Sequence, residues 1–162
     1  MQPISAEVVE QTWQRVAALT RREGERLAQK FVAEQPAVTA YLLAVDRDLF
    51  SDEERELLFY LGTVVWQIMA QGAAPLPRVT EQALEQAEDV NLAMLKSQQE
   101  ASDENMRAAM AQLLQEYAQP EVFRYVVEAL MESAREEDVP QDNLGVMMVD
   151  LKTVIDCLNE AK

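Results

Sequence analysis

The chain has 162 residues, 49% of them hydrophobic, and its 29 acidic and 14 basic residues give a formal net charge of −15. Such a charge repels phosphates and anionic lipid head groups, so we expect neither nucleic acid nor a membrane surface as a partner. The sequence contains no histidine, which excludes histidine-ligated haem and metal and removes the usual proton shuttle near neutral pH.

The first predicted helix begins at Ser5, whose hydroxyl can accept hydrogen bonds from the free amides of the first turn. Apolar residues at helical spacing continue towards Glu34, but Gly24 lies in a polar stretch between them. We therefore expect one helix as far as Glu34, with a bend or a break near Gly24.

The next two helices have sharper start signals. Pro36 suits the first turn of a second helix, because its missing amide hydrogen would have no partner there in any case. Ser51 and Glu54 match a capping box, in which each side chain satisfies the free amide of the other residue. They predict the start of a third helix that ends at Gly72. The segment Gly72–Val79 contains two prolines and is predicted to be a linker.

The remaining helices follow this linker. Thr80 is predicted to cap a fourth helix, whose apolar stripe is interrupted by the polar passage Lys96–Asn105. This passage is either a break or the exposed side of one long helix, and we favour one long, bent helix. Pro120 opens a fifth helix that ends near Pro140, and Asp142 is predicted to cap the last helix. The signals together predict about six helices.

The two sides of the linker resemble each other. Ile4-Ser5 matches Val79-Thr80 ahead of the first helix of each side. In the most specific match, Gln35-Pro36 corresponds to Gln119-Pro120, and both pairs open helices with valine and tyrosine at the same positions. Gapped comparison of two helical halves rich in alanine and leucine can produce such matches by chance, so this alternative stays open.

If the halves are copies, repeat 1 covers residues 4–71 and repeat 2 covers residues 80–160, with Thr63 corresponding to Thr153. A unit of three helices is too small to bury its own apolar faces well, so the two units should share one core. The predicted fold is therefore a single all-α domain over residues 1–162. It would be one helical bundle built from two tandem three-helix repeats related by a pseudo-twofold axis.

Three groups of acidic residues have the helical spacing that could hold Mg²⁺ through carboxylate oxygens. Such groups are expected by chance in a chain with 29 acidic residues. We therefore assign no residue a catalytic, cofactor-binding or metal-binding role, and we predict no cofactor. The groups are Glu53 with Glu56, Glu85 with Glu88 and Asp89, and Glu132 with Glu136.

Cys157 is the only cysteine, so it can form no intrachain disulfide, and we expect it to be an inert buried thiol. Trp13 and Trp66 lie on apolar helical stripes and are expected in the core. Residues 1–7 carry neither the basic flank nor the apolar run of a signal peptide. No apolar run reaches the roughly 20 residues needed to cross a bilayer, so we predict a cytoplasmic protein.

These observations favour a non-enzymatic interaction module that binds another protein through a groove or an apolar face, with a homodimer as an open alternative. The enzyme hypothesis is a carboxylate-based, Mg²⁺-dependent hydrolase of a small phosphorylated substrate. A third hypothesis is a small-molecule pocket where equivalent residues of the two halves, such as Tyr41 and Tyr125, converge. The sequence does not indicate the partner or substrate.

Overall fold

A computed structural model gives the fold and describes residues 1–72, 75–99, 103–136 and 140–160. Within these ranges the chain forms eight α-helices and no strand, which confirms the predicted all-α class. Four helices lie on each side of the predicted linker, rather than three. The helices are α1 (Ala6–Ala17), α2 (Arg21–Glu34), α3 (Pro36–Ala44), α4 (Asp52–Met69), α5 (Glu81–Gln99), α6 (Asp103–Glu116), α7 (Pro120–Arg135) and α8 (Gln141–Asn159).

The single helix predicted as far as Glu34 is two helices, and the break lies before Gly24. The hydroxyl of Thr20 accepts a hydrogen bond from the backbone N–H of Glu23, and the carboxylate of Glu23 accepts one from the backbone N–H of Thr20. This capping box starts α2 and leaves Gly24 inside it. The predicted caps at Ser5 and Ser51 are confirmed, since each hydroxyl accepts from an amide in the first turn of its helix.

The interpretation of Lys96–Asn105 as part of one long helix is wrong. Helix α5 ends at Gln99 and α6 begins at Asp103, while residues 100–102 lie outside the described ranges. Leu95 of α5 and Leu113 of α6 line the same small cavity. On a straight helix these residues would be about 27 Å apart, so α5 and α6 are not parts of one rod.

The last helix starts two residues earlier than predicted. Pro140 occupies the N-cap position of α8, so Asp142 lies in the first turn and not at the cap. Pro140 can hold this position because its fixed backbone angle suits the residues that flank a helix start. In the described part of the chain, no helix is both long and apolar enough to cross a bilayer.

Helices α4 and α8 form the centre of the core. Every residue from Leu61 to Met69 on α4 is buried, and so are residues 149–155 on α8. The two helices start side by side, where the amide of Asn143 donates a 2.6 Å hydrogen bond to the carboxylate of Glu54. Around this pair, α1 packs against α7 and α3 packs against α5. Each side of the chain is therefore held by contacts with the other.

Two buried glutamines, Gln35 and Gln119, fasten the segments that lead into α5 and α1. Gln35 accepts from the backbone N–H of Val79 (3.1 Å) and donates to the carbonyl of Pro77 (2.7 Å). Gln119 makes the same pair of bonds to the other segment, accepting from the N–H of Ile4 (2.9 Å) and donating to the carbonyl of Gln2 (3.0 Å). Both glutamines precede a proline-initiated helix and have nearly the same backbone angles. Each glutamine therefore anchors the start of the opposite half.

Candidate functional site

A groove between α3 and α5, the α3/α5 groove, encloses about 650 Å³. Among the described residues, five carboxylates and no basic side chain line it. Alanines from one face of α3 form much of the remaining wall, so the groove is both acidic and wide. Its lining residues are Ala37, Ala40, Tyr41, Ala44, Val45, Asp46, Glu81, Leu84, Glu85, Glu88 and Asp89.

Asp150 of α8 lies behind this groove and is only 1% exposed. Its Oδ1 accepts a 3.2 Å hydrogen bond from the hydroxyl of Tyr41, which lines the groove. Its Oδ2 has no hydrogen-bond partner, and it is the one buried side-chain oxygen or nitrogen in this condition among the described residues. Buried polar atoms almost always have partners, and a protonated Asp150 carboxyl gains one, since it can donate to the carboxylate of Asp46.

The acidity of Asp150 reflects its surroundings. Burial, followed by the charge of Asp46, a hydrogen bond with Asp46 and the charge of Glu88, raises the pKa of Asp150 to about 9, and the Tyr41 hydrogen bond only partly opposes this. Burial and the charges of Asp150 and Glu88 also raise the pKa of Tyr41, so its hydroxyl remains a donor. In the empty groove, Asp150 is therefore a neutral acid near pH 7, and a bound cation would favour its ionised form.

Asp46 reaches the groove from an unusual backbone conformation. Its φ of 50° lies in the left-handed region, and among non-glycine residues of the described chain it alone has a positive φ. Its carbonyl accepts hydrogen bonds from the N–H groups of Leu49 and Phe50 in the turn after α3. Aspartate tolerates this region better than most side chains, although at some cost in energy. The turn thus places a second carboxylate next to a carboxyl that is already buried.

A second groove, the α1/α7 groove, lies between α1 and α7 and encloses about 250 Å³. Val79 follows Ile4 by 75 residues and Gln119 follows Gln35 by 84 residues. With these two offsets, every described residue that lines the α1/α7 groove corresponds to one that lines the α3/α5 groove. The pairs are Ala6 and Glu81, Val9 and Leu84, Glu10 and Glu85, Trp13 and Glu88, Glu121 and Ala37, Arg124 and Ala40, Tyr125 and Tyr41, and Glu128 and Ala44.

The two grooves differ in what fills them. In the α1/α7 groove the rings of Trp13 and Tyr125 are stacked, with centroids 6.4 Å apart, and Arg124 forms an ion pair with Glu121 at 3.5 Å. In the α3/α5 groove, Glu88 stands at the position of Trp13, and alanines stand at the positions of the ion pair. The α1/α7 groove is therefore narrowed by its own side chains, while the α3/α5 groove is wider.

Another buried polar cluster surrounds Lys152, but its members satisfy one another. The ammonium of Lys152 donates to Asn91 (2.8 Å) and Asp156 (3.0 Å) and lies over the ring of Tyr117. The amide of Asn91 donates to Asp156 and Thr153, and the hydroxyl of Tyr117 donates to Asp156. A network of this kind orders the core, and it leaves no free group to meet a ligand.

The acidic groups identified in the sequence occupy different places. Glu85, Glu88 and Asp89 line the α3/α5 groove. The other two groups lie apart from it, with Glu53, Glu56, Glu132 and Glu136 all exposed. Within the described ranges, no three acidic or cysteine side chains are arranged to hold a metal ion. Tyr41 and Tyr125 line separate grooves, so they do not converge on one pocket.

Sequence reasoning missed Asp150 and Asp46. Asp150 did carry a signal, because it is a lone acid within the apolar run from Met147 to Leu151. An ionisable residue on an otherwise buried helix face is uncommon unless it is paired. The chain matches no family model, and comparison with curated proteins and with solved structures gives no match either.

Proposed function

We propose that the chain is a non-enzymatic binding module that recognises another protein by seating one of its basic side chains in the α3/α5 groove. The observation that carries this proposal is that five carboxylates and no basic side chain line the α3/α5 groove among the described residues. A basic side chain in the groove would meet several carboxylate acceptors and, among these residues, no competing positive charge.

The charge of the whole chain supports the same kind of partner. A net charge of −15 attracts basic surfaces over distances of about a Debye length and increases the rate of encounter. The carboxylates that line the α3/α5 groove concentrate the negative potential there. Long-range attraction would bring the partner to the molecule, and the groove would select the side chain that enters.

We further propose that the chain arose by internal duplication, with α1–α4 corresponding to α5–α8. The matched bonds of Gln35 and Gln119 support this origin, since each pair of bonds is a near copy of the other. Thr63 and Thr153 add support, because both are buried and each hydroxyl donates to the carbonyl four residues earlier. Under this proposal both grooves lie between the halves; the α1/α7 groove became narrowed by its own side chains, and the α3/α5 groove remained available for binding.

A fluorescent hexalysine peptide tests the binding proposal by anisotropy, at low and at physiological salt. The triple variant Glu85→Gln, Glu88→Gln, Asp89→Asn removes three charges from the α3/α5 groove. We expect it to weaken binding at physiological salt by about tenfold or more. The matched control Glu10→Gln, Glu121→Gln, Glu128→Gln removes three charges from the α1/α7 groove, and it should change the affinity by less than about twofold. Equal losses in the two variants would contradict the proposal, since they would indicate general attraction to an acidic surface.

The hydrolase hypothesis is a second candidate because Glu85, Glu88 and Asp89 share the open groove. A metal ion that binds only the folded chain must raise its melting temperature. Thermal unfolding with Mg²⁺ and Mn²⁺ therefore tests this candidate. A rise that disappears in the α3/α5 triple variant would favour it, and an unchanged melting temperature would exclude it.

A further inference from the structure

We propose that a groove between α2 and α4, the α2/α4 groove, is a docking site for an amphipathic helix of a partner protein that carries a carboxylate beside its apolar stripe. The groove encloses about 710 Å³ and shares no lining residue with the α3/α5 groove. The inference goes beyond cation binding, and it uses the proposed duplication only to compare equivalent positions. The residues that line it include Leu19, Gly24, Leu27, Arg55, Phe59 and Thr63.

Apolar side chains at the edge of this groove are open to water. Leu43 is 53% exposed and Tyr60 is 42% exposed, and both line the groove. The wall formed by α2 has a gap, because no neighbouring atom lies within 4 Å of the position that a Cβ would take at Gly24. Exposed apolar side chains grouped around a concave surface are typical of an interaction site.

The second half shows what fills the equivalent space. The equivalent residue follows by 75 positions for α1 and the turn after it, by 86 positions for α2 and by 90 positions for α4. Among the described residues, the cavity at this place in the second half encloses only about 10 Å³. The equivalent lining pairs are Leu19 and Met94, Thr20 and Leu95, Leu27 and Leu113, Arg55 and Gly145, and Phe59 and Val149.

The two halves differ here in the length of their first helix. Helix α1 ends at Ala17, whose equivalent is Leu92, whereas α5 continues to Gln99, about two turns further. This extension of α5 lies along α8, because a methyl carbon of Leu95 lies 3.1 Å from the position that a Cβ would take at Gly145. The extra turns of α5 therefore occupy the space that stays open between α2 and α4.

The dimensions of the open space suit a short helical segment. Along α4 the groove extends from Thr63 to Arg55, which is about 12 Å of helix. Two helical turns span nearly the same length. A partner helix that seats two turns there would place its apolar side chains on Leu27 and Phe59 and keep its polar face in water.

Arg55 indicates the charge that the partner helix should carry. Its guanidinium donates a 3.0 Å hydrogen bond to the carbonyl of Leu42 and lies over the ring of Phe50. None of the ion pairs among the described residues includes it, and a guanidinium has five donors. In the second half the equivalent residue is Gly145, in contact with Leu95. A carboxylate at the place of Leu95 in a partner helix would therefore meet Arg55.

Fluorescence anisotropy with two stapled peptides tests this inference. Each peptide has the sequence of residues 90–101, with a hydrocarbon staple between positions 93 and 97, which are exposed on α5. One carries Leu95→Glu and the other carries Leu95→Lys. We expect the glutamate peptide to bind at physiological salt and the lysine peptide to bind at least about fivefold more weakly. General attraction to a chain of net charge −15 would give the opposite order.

Three variants of the chain locate the binding. Gly24→Leu closes the gap in the α2 wall, so it should weaken the glutamate peptide by about tenfold or more. The variant should melt no lower than wild type, because leucine has the higher helix propensity and no atom opposes it. Ala33→Leu adds the same side chain on the opposite, exposed side of α2, and it should change the affinity by less than about twofold. Arg55→Glu should reverse the preference between the two peptides.

The inference is overturned if neither peptide binds, if the two bind equally, or if Gly24→Leu and Ala33→Leu have the same effect. Sedimentation of the chain alone tests a second copy as the occupant. Dimers that form in wild type and not in Gly24→Leu would assign the groove to self-association. Tighter binding of dodecanoate than of either peptide would assign it to a small amphiphile, which also contradicts the inference. Hexalysine binding should be unchanged in Gly24→Leu, so the failure of peptide docking and the failure of the cation-binding proposal are separate results.

Discussion

The carboxyl group of Asp150 is kept protonated by its surroundings, so its contribution to stability depends on pH. Its pKa is about 9 in the folded chain, against an ordinary value of 3.8. Between these values the folded state holds a proton that the unfolded state has released. The contribution of Asp150 is therefore fully present below about pH 4 and is lost as the pH rises towards 9. The folded chain should become less stable across this range.

Asp150→Asn should remove this dependence. Asparagine keeps a carbonyl that can accept from the hydroxyl of Tyr41, and it has no proton to lose. We expect the variant to melt at nearly the wild-type temperature near pH 5 and at least about 3 °C higher near pH 8.5. Asp48→Asn, at an exposed residue nearby, is the control. A constant difference between the melting temperatures of Asp150→Asn and wild type over this range would contradict a buried protonated acid at this position.

Trp13 shows why the burial of a side chain was harder to predict than the helix face on which it lies. Both tryptophans were expected in the core, and Trp66 is indeed 1% exposed, but Trp13 is 37% exposed. Its ring rests on Tyr125, which lies 112 positions further along the chain. The environment of Asp150 depends in the same way on Asp46 and Glu88. Helical spacing gives the face on which a residue lies, and it does not give the side chains that meet that face.

At the scale of the helices, two glycines have opposite roles. Gly24 lies inside α2 with no atom near the position of a Cβ. Gly62 lies inside α4, where a Cβ would overlap a methyl group of Leu42. Leu42 is fully buried, so it has little room to move away.

We expect Gly24→Ala to stabilise the chain by about 0.5–1 kcal/mol, because alanine has the higher helix propensity and open space awaits its methyl group. Gly62→Ala should destabilise it by about 1–3 kcal/mol through overpacking. Urea unfolding followed by circular dichroism measures both changes. Two substitutions with the same sign would contradict the packing described around Leu42.

Helix starts were predicted well where a side chain caps its own helix, as at Ser5 and Ser51. The start of α2 was missed although Thr20 and Glu23 have the same pattern as Ser51 and Glu54. That local signal lies in a polar stretch, where the apolar spacing does not mark the break. The separation of α5 from α6 had a weaker signal, because a polar passage suits an exposed helix face and a break equally well. Propensity alone could not decide between them.

At the scale of the whole molecule, the two halves depend on each other. The central pair of helices takes one member from each half, and each buried glutamine anchors the opposite half. Neither half alone would retain these contacts. Without the opposite half, the backbone N–H groups of Ile4 and Val79 would lose their glutamine acceptors.

Fragments 1–74 and 75–162 should therefore complement each other. We expect each fragment alone to unfold without a cooperative transition, and an equimolar mixture to regain one. Circular dichroism during thermal unfolding, with size-exclusion chromatography of the mixture, measures this. Adding Gln35→Ala and Gln119→Ala should weaken the complex by about tenfold or more, since two buried amides lose their acceptors. A fragment that melts cooperatively by itself near the wild-type temperature would contradict this mutual dependence.

The stacking of Trp13 on Tyr125 has an optical consequence. Trp66 is enclosed in the core against Phe31, whereas Trp13 is partly open to water at the contact between α1 and α7. The two indoles should therefore emit at different wavelengths, with Trp66 emitting at the shorter wavelength. In a Trp66→Phe chain, the remaining tryptophan, Trp13, would report the separation of α1 from α7 during unfolding.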